Sequence, residues 1–98
     1  MIRVVYRWQV EPKDFEAFRE TWRTTTNRIH ETVPGALGSF MLRSFENEAE
    51  VITVARWESR QAWEQFWGNQ DPEAMQAMRV LGERLSAEAF EEIEDHTR

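Results

Sequence analysis

The first ten residues alternate between apolar and polar side chains in the manner of a β-strand. From Ile2 to Val10, every even position is apolar, and three of the four odd positions between them are polar (Arg3, Arg7 and Gln9). Because successive side chains of a strand point to opposite faces, this alternation predicts a strand with one buried face. Tyr6 and Trp8 belong to the apolar row, so we interpret both as core residues.

The pattern changes to a helical period after Pro12. From Lys13 to about Glu31, bulky or apolar residues recur every three or four positions, with charged residues between them: Phe15, Phe18, Trp22, Thr26 and Ile29. This spacing predicts an amphipathic helix of about five turns. Val33-Pro34-Gly35 then predicts a break.

The middle of the chain predicts a β-hairpin. Ala36 to Phe45 and Val51 to Trp57 are typical of strands, and the polar run Glu46-Asn47-Glu48 between them predicts a turn. Ser59 is placed to cap a following short helix, which carries Ala62, Trp63, Phe66 and Trp67 and ends at Gly68-Asn69.

A second helix start is indicated at Asp71-Pro72-Glu73, which combines a capping side chain, a proline and an acid at the positive helix end. Its buried stripe is predicted to be Ala74, Met78, Leu81 and Leu85. The pattern from Ala87 to Asp95 is ambiguous, and we interpret it as a final edge strand.

The predicted order is β-α-β-β-α-(α)-β, which is that of a split β-α-β, or ferredoxin-like, α+β domain. We expect one domain over residues 1–98, with helices on one face of a four-stranded antiparallel sheet. The other face would still be apolar, because the hairpin carries Leu37, Met41 and Phe45 on one side and Phe40 and Leu42 on the other. A second copy would cover that face, so we predict a homodimer whose two sheets form an α/β barrel around a cavity.

Composition restricts the classes of partner. The formal net charge is −6 and the isoelectric point is near 4.9, which argues against a nucleic-acid surface. There is no cysteine, hence no disulfide or thiolate ligand, and no His-Glu-x-x-His or comparable metal motif. No apolar run approaches the roughly 20 residues that span a bilayer. We expect no membrane association and a cytoplasmic location.

Two stretches carry a family resemblance. Val33-Pro34-Gly35-Ala36-Leu37-Gly38-Ser39, and the run from Val54 through Trp57-Glu58-Ser59 to Trp63, resemble the antibiotic biosynthesis monooxygenase domain. The resemblance covers nearly the whole chain. It implies a dimeric α/β barrel, and members include cofactor-free monooxygenases acting on aromatic polyketides or quinols, haem-degrading enzymes and proteins of no known activity.

The resemblance disfavours haem degradation. Haem-degrading members carry an Asn on the first strand, a Trp on the helix after the third strand and an iron-ligating His on the next helix. The corresponding positions here are Arg7, then Phe66 or Trp67, and then the stretch from Met75 to Met78, which contains no histidine. We therefore expect no cofactor and no metal.

Arg7 is the first candidate for ligand binding, because a cation inside the barrel would bind a phenolate or carboxylate. The alternative is a salt bridge across the sheet or the dimer interface. Arg56 and Arg43 are similar candidates whose orientation depends on strand register. Trp57, Trp63 and Trp67 could form the wall of an aromatic pocket, although core packing is the ordinary role of such residues, and we interpret Phe66 as core.

His30 and His96 lack a neighbouring carboxylate pair or second histidine, so neither is assigned a catalytic role. The sequence thus favours a cofactor-independent monooxygenase that oxidises an aromatic phenol, quinol or polyketide-like molecule, without identifying a general base. The alternative is a non-catalytic dimer of the same fold that binds a small aromatic molecule.

Overall fold

The computed structural model describes residues 1–69 and 73–97, with side chains for 1–67 and 76–97. A single turn of 3₁₀-helix, Pro12–Asp14, precedes the first α-helix. The other elements are, in chain order, β1 (Ile2–Gln9), α1 (Phe15–Thr32), β2 (Ala36–Arg43), β3 (Glu50–Trp57), α2 (Arg60–Asn69), α3 (Glu73–Leu81) and β4 (Glu83–Glu91). The predicted restart residues Asp71 and Pro72, and the side chain of Ala74, lie outside the described residues.

The four strands form one sheet in the order β2-β3-β1-β4, and each neighbouring pair is antiparallel. The predicted ferredoxin-like α+β fold is therefore confirmed. β1 occupies an inner position, between β3 and β4. No helix in the described part of the chain is both long enough and apolar enough to cross a bilayer.

One face of the sheet packs against the helices, and we call it the helix face. Val4, Tyr6 and Trp8 of β1 point to it and are 0%, 5% and 0% exposed. Phe18 of α1 meets Trp8 edge-on at 5.1 Å between ring centroids, and Met78 of α3 is also fully buried. The period-two pattern of β1 and the helical pattern of α1 thus meet in one core, and the core interpretation of Tyr6, Trp8 and Phe66 is confirmed.

No helix of residues 1–69 and 73–97 packs on the opposite side, which we call the open face. Its middle is a row of cross-strand neighbours in which Val5 pairs with Val54 and Val54 with Phe40. In the next row Arg7 pairs with Ile52 and Ile52 with Leu42. Phe40 and Leu42 are 44% and 52% exposed. The sheet is therefore apolar on both faces while only one is covered.

The hairpin turn begins earlier than the pattern predicts. β2 ends at Arg43, and the Ser44 hydroxyl accepts the backbone N–H groups of Glu46 and Asn47. This serine turn removes Phe45 from the strand and leaves its side chain fully exposed. The prediction that Phe45 contributes to a face of the sheet is wrong.

The boundary between α3 and β4 also differs from the prediction. Leu85 was assigned to the buried stripe of the last helix, but it lies in β4 and is 55% exposed. The helix ends at Leu81, and at Gly82 an added Cβ would lie 2.9 Å from Val10 Cγ2 and 3.1 Å from Phe18 Cε1. The chain can approach the core this closely only with glycine, and from there pairing with β1 overrides the helical pattern.

Gly35 fixes the start of the hairpin against α2. Its φ is +89°, and an added Cβ would lie 2.6 Å from Ala62 Cβ. Gly38, three residues later, also has a positive φ of +113°, but an added Cβ there would meet nothing within 4 Å. Both glycines have a positive φ that other residues rarely adopt, but only at Gly35 would an added side chain also clash with a neighbour.

A buried polar contact links β1 to β3 inside the core. The Trp8 indole donates its Nε1–H to the Thr53 hydroxyl oxygen at 3.1 Å, and Trp8 and Thr53 are 0% and 2% exposed. Thr53 is the polar member of the helix-facing row of β3, whose other members are Val51, Ala55 and Trp57. An indole in this position needs an acceptor, because water does not reach it.

We expect Gly35→Ala to lower the free energy of unfolding by about 2–4 kcal/mol, since it combines a positive φ with a steric clash. Gly38→Ala is the matched control and should cost only about 1–2 kcal/mol, because it tests the φ alone. Urea denaturation of both variants measures the difference. Equal losses would mean that the contact with Ala62 relaxes without cost.

We expect Thr53→Val to destabilise the fold by about 2 kcal/mol, because it leaves the Trp8 N–H buried without an acceptor. Thr53→Ser keeps the acceptor and loses one methyl group, which costs about 1 kcal/mol. The order of the two variants in urea denaturation is the readout. If Thr53→Val is the more stable variant, apolar burial rather than the hydrogen bond governs this position.

Candidate functional site

A cavity lies between the helix face of the sheet and the inner side of α1. The space inside it that water-sized molecules can occupy is about 50 Å³, and a figure of about 490 Å³ includes the open solvent at its mouth. The helix supplies Trp22, Thr26, Ile29 and His30, and the sheet supplies Tyr6, Thr53 and Trp57, with Phe66 and Met78 beyond them. Most of this wall is apolar and aromatic, so the cavity suits a flat apolar ligand that offers a few polar atoms.

An irregularity in β2 lies at the cavity. The pairing of β2 with β3 is regular from Ser39 onward but shifts between Ala36 and Ser39. Gly38 lies within this shift at φ +113°, and Gly38 and Ser39 both line the cavity. β2 is an edge strand, and bulges in such strands often lie next to functional sites, where they redirect a side chain.

Tyr6 lines the cavity, and the pKa of its hydroxyl is shifted by its surroundings. The hydroxyl accepts the indole N–H of Trp63 at 3.2 Å, and the residue is 5% exposed. Burial raises the pKa of Tyr6 above its ordinary value, while the Trp63 hydrogen bond and the charge of Arg84 oppose that rise. Tyr6 therefore stays protonated at neutral pH and acts as a neutral hydrogen-bonding group.

Two of the predicted tryptophans lie behind Tyr6 rather than in the cavity wall. Trp63 and Trp67 stack with ring centroids 5.7 Å apart, and Trp67 also contacts the Tyr6 ring at 5.9 Å. The Arg84 guanidinium lies 4.7 Å from the centroid of Trp67. This group supports Tyr6 from the side of α2. Trp57 does line the cavity, where its ring packs on Phe66 at 5.3 Å.

The predicted arginines lie in three different places. Arg7 is exposed in the middle of the open face, away from the cavity, and it makes no ion pair within residues 1–69 and 73–97. Arg43 faces the helices, with its guanidinium 4.2 Å from the centroid of Phe15. Arg56 borders the cavity, but its Nη2 is bonded to Glu92 at 3.1 Å.

Glu92 joins two strands at the end of the open face. Its carboxylate accepts Arg3 Nε at 2.7 Å as well as Arg56 Nη2. Arg3 also reaches Asp95 at 3.3 Å. A salt bridge across the sheet was the alternative predicted for Arg7, but the arginines that share Glu92 are Arg3 and Arg56.

Several cavity residues are absent from the sequence-based site candidates, and Tyr6, interpreted only as core, is one of them. His30 was weighed and set aside, yet it lines the cavity, and Trp22 was interpreted only as part of the helix stripe. Thr53 was not considered, although a polar residue between Val51 and Ala55 in an apolar row is a usable signal. The cavity predicted inside a dimeric barrel, beside Arg7, needs a second copy and stays a prediction.

Among the described residues that line the cavity, Tyr6, His30 and Arg56 are titratable, but the side chain of Arg56 lies on the open face with Glu92. Within the described part of the chain, no group of three His, Asp or Glu side chains is placed to hold a metal ion. His30 is the histidine among the described residues that line the cavity.

Comparisons with known proteins agree with this geometry. The sequence profile described as antibiotic biosynthesis monooxygenase matches residues 1–79. No curated protein sequence matches the chain.

Several solved structures share the fold at low sequence identity. A mutant form of SnoaB, a cofactor-independent oxygenase from Streptomyces nogalater, has a TM-score of 0.78 and 18% identity, with 99% of this chain and 97% of that chain covered. A candidate antibiotic biosynthesis monooxygenase from Caulobacter crescentus CB15 has a TM-score of 0.79 and 22% identity, with 95% and 90% covered. Another from Deinococcus radiodurans has a TM-score of 0.75 and 14% identity, with 100% and 98% covered. Since the family profile spans most of the sequence, the chain belongs to the antibiotic biosynthesis monooxygenase family.

Proposed function

We propose that the protein is a cofactor-independent monooxygenase whose substrate is an electron-rich aromatic molecule, such as a phenol, a quinol or a polyketide-like compound. The observation that supports this most is the cavity on the helix face, where aromatic and apolar side chains surround a small number of hydroxyl groups. SnoaB, described as a cofactor-independent oxygenase, has a similar fold. Fold alone does not transfer activity, so the proposal depends on the cavity.

The reaction balances without an external reductant. A phenol with a free para position loses its hydroxyl proton, and the ring carbon then bonds to one oxygen atom of O₂. That carbon becomes a quinone carbonyl, and the second oxygen atom leaves as water with the two hydrogens removed from the substrate. The substrate supplies the electrons, and the apolar wall would keep solvent away from the reactive carbanion or radical.

Proton removal is the step for which the cavity has the fewest suitable side chains. Tyr6 is held protonated by burial, so it is a poor base and a good hydrogen-bond donor. Arg56 is permanently charged and engaged by Glu92. His30, an exposed residue of α1 that lines the cavity, is the remaining candidate.

The second candidate is a non-catalytic dimer that binds a small aromatic molecule in the same cavity. It is favoured by the same scarcity of bases, because ligand recognition requires the aromatic wall and the hydroxyls but no proton transfer. Oxygen consumption distinguishes the two candidates.

The open face supports the homodimer that both candidates include. Phe40 and Leu42 are large, exposed and adjacent across the sheet to Val54 and Ile52. A second copy packed on this face would bury them and would enclose Arg7, whose role as an anion-binding residue is part of the proposal.

We expect 1-naphthol, whose para position is free, to give enzyme-dependent oxygen uptake within a panel of phenols and hydroquinones. For 1-naphthol, ¹⁸O₂ should place one labelled atom in the quinone. Trp22→Ala should raise KM at least about tenfold, because it removes an aromatic wall of the cavity. A folded protein that consumes no oxygen above the uncatalysed rate with any member of the panel would favour the non-catalytic binder.

Arg7→Ala locates the substrate in the same assay. A KM raised about tenfold or more would place the substrate's anionic oxygen beside Arg7 on the open face. An unchanged KM, together with the loss in Trp22→Ala, would place it in the helix-face cavity alone.

We expect the wild-type protein to sediment as a dimer at micromolar concentration, and Leu42→Glu to sediment as a monomer, because a buried carboxylate without a partner is costly. Phe45→Glu is the matched control, since Phe45 is equally apolar but lies in the hairpin turn outside the face. Analytical ultracentrifugation measures both. Equal behaviour of the two variants would contradict dimerisation through the open face.

A further inference from the structure

Two hydroxyl groups of the cavity wall share an unusual environment. Tyr6 on β1 and Thr53 on β3 are direct cross-strand neighbours, both point to the helix face, and both line the cavity. They are 5% and 2% exposed. Each hydroxyl oxygen accepts an indole N–H, Tyr6 from Trp63 at 3.2 Å and Thr53 from Trp8 at 3.1 Å.

The indole donors leave the hydroxyl protons available. A hydroxyl has one proton to donate and two acceptor lone pairs, while an indole nitrogen can only donate. Each indole therefore occupies an acceptor site of the hydroxyl and directs its proton elsewhere. Among the described residues, neither Tyr6 nor Thr53 donates that proton to a protein acceptor.

A buried donor without an acceptor is costly in an apolar environment, so such groups normally have a partner. Because Tyr6 and Thr53 both line the cavity, a molecule that fills it can supply the missing acceptor. The hydrogen bond from Trp63 also polarises the Tyr6 hydroxyl and makes it a stronger donor. These features select a ligand atom that only accepts, which in an aromatic molecule is a carbonyl or phenolate oxygen.

We propose that the hydroxyls of Tyr6 and Thr53 are the two oxygen-recognition points of the cavity, with Trp63 and Trp8 as positioning residues that aim their protons at the ligand. The ligand class is a planar aromatic molecule with acceptor oxygens, such as a quinone or a phenolate. This inference rests on the proposed function for the identity of the site, but it concerns binding and does not require turnover.

The probe is 1,4-naphthoquinone, which carries two acceptor oxygens and no donor, and naphthalene is its control without oxygen. The chain has no cysteine that would add to the quinone. Quenching of tryptophan fluorescence measures both dissociation constants. We expect the quinone to bind at least about tenfold more tightly than naphthalene, and Tyr6→Phe to weaken quinone binding about tenfold while leaving naphthalene binding unchanged.

Trp63→Phe tests the positioning role by a second readout. Tyr6 is the only tyrosine of the chain, so tyrosinate absorbance near 295 nm reports its ionisation alone. Loss of the indole donor removes a hydrogen bond that stabilises the phenolate, so the pKa of Tyr6 should rise in Trp63→Phe. Quinone binding should weaken in the same variant, although the Tyr6 hydroxyl is still present.

The outcomes separate this inference from the proposed function. Quinone binding that depends on Tyr6, without oxygen uptake on any phenol or hydroquinone, supports the two recognition points and removes the monooxygenase. Oxygen uptake with a quinone affinity that Tyr6→Phe does not change overturns the recognition points and leaves the monooxygenase. Equal affinity of wild-type protein for quinone and naphthalene, or no binding of either, also overturns the inference.

Discussion

The burial of alternate β1 side chains against the helices is the constraint on which the rest of the structure depends. Val4, Tyr6 and Trp8 can reach the core only if the intervening residues Val5 and Arg7 point the other way. Because β1 pairs with both β3 and β4, the alternation of its side chains also determines which residues of those strands face the helices. The cavity on one face and the uncovered apolar surface on the other therefore both result from the side-chain alternation of β1.

The cavity wall combines apolar packing with a few hydrogen bonds that the core itself requires. Large indoles bury much surface, but each carries an N–H that needs an acceptor. Here the acceptors are hydroxyls on neighbouring strands, and they belong to two residues that line the cavity. The packing of the tryptophans and the polarity of the cavity are therefore coupled, and neither can be changed alone.

Most of the fold could be predicted from the sequence, because strong periodicity specifies element type and the element order leaves few arrangements. The α3–β4 boundary could not, since Leu85 fits a helical stripe and the close approach of Gly82 to Val10 and Phe18 appears only in three dimensions. Phe45 was misplaced for a similar reason, as a local serine turn competed successfully with an apolar strand pattern.

The candidate site was harder to predict than the fold. Its positive charge made Arg7 a candidate, but Arg7 follows Tyr6 directly in β1 and therefore points to the opposite face of the sheet. Arg56 is paired with Glu92, which lies near the other end of the chain. Thr53 and His30 matter through where the sheet and α1 bring them, which a linear pattern does not report. The predicted tryptophans were a better guide, because Trp57 reaches the cavity and Trp63 reaches Tyr6.

The inner position of β1 has a consequence for synthesis of the chain. β1 emerges from the ribosome before its two sheet partners, which are encoded about half a chain and nearly a whole chain later. At about 5–20 residues per second, several seconds pass between the synthesis of β1 and that of the strands that pair with it. Pairings this distant in sequence also slow folding. α1 follows β1 directly in the chain and is therefore the first α-helix available to cover its apolar row.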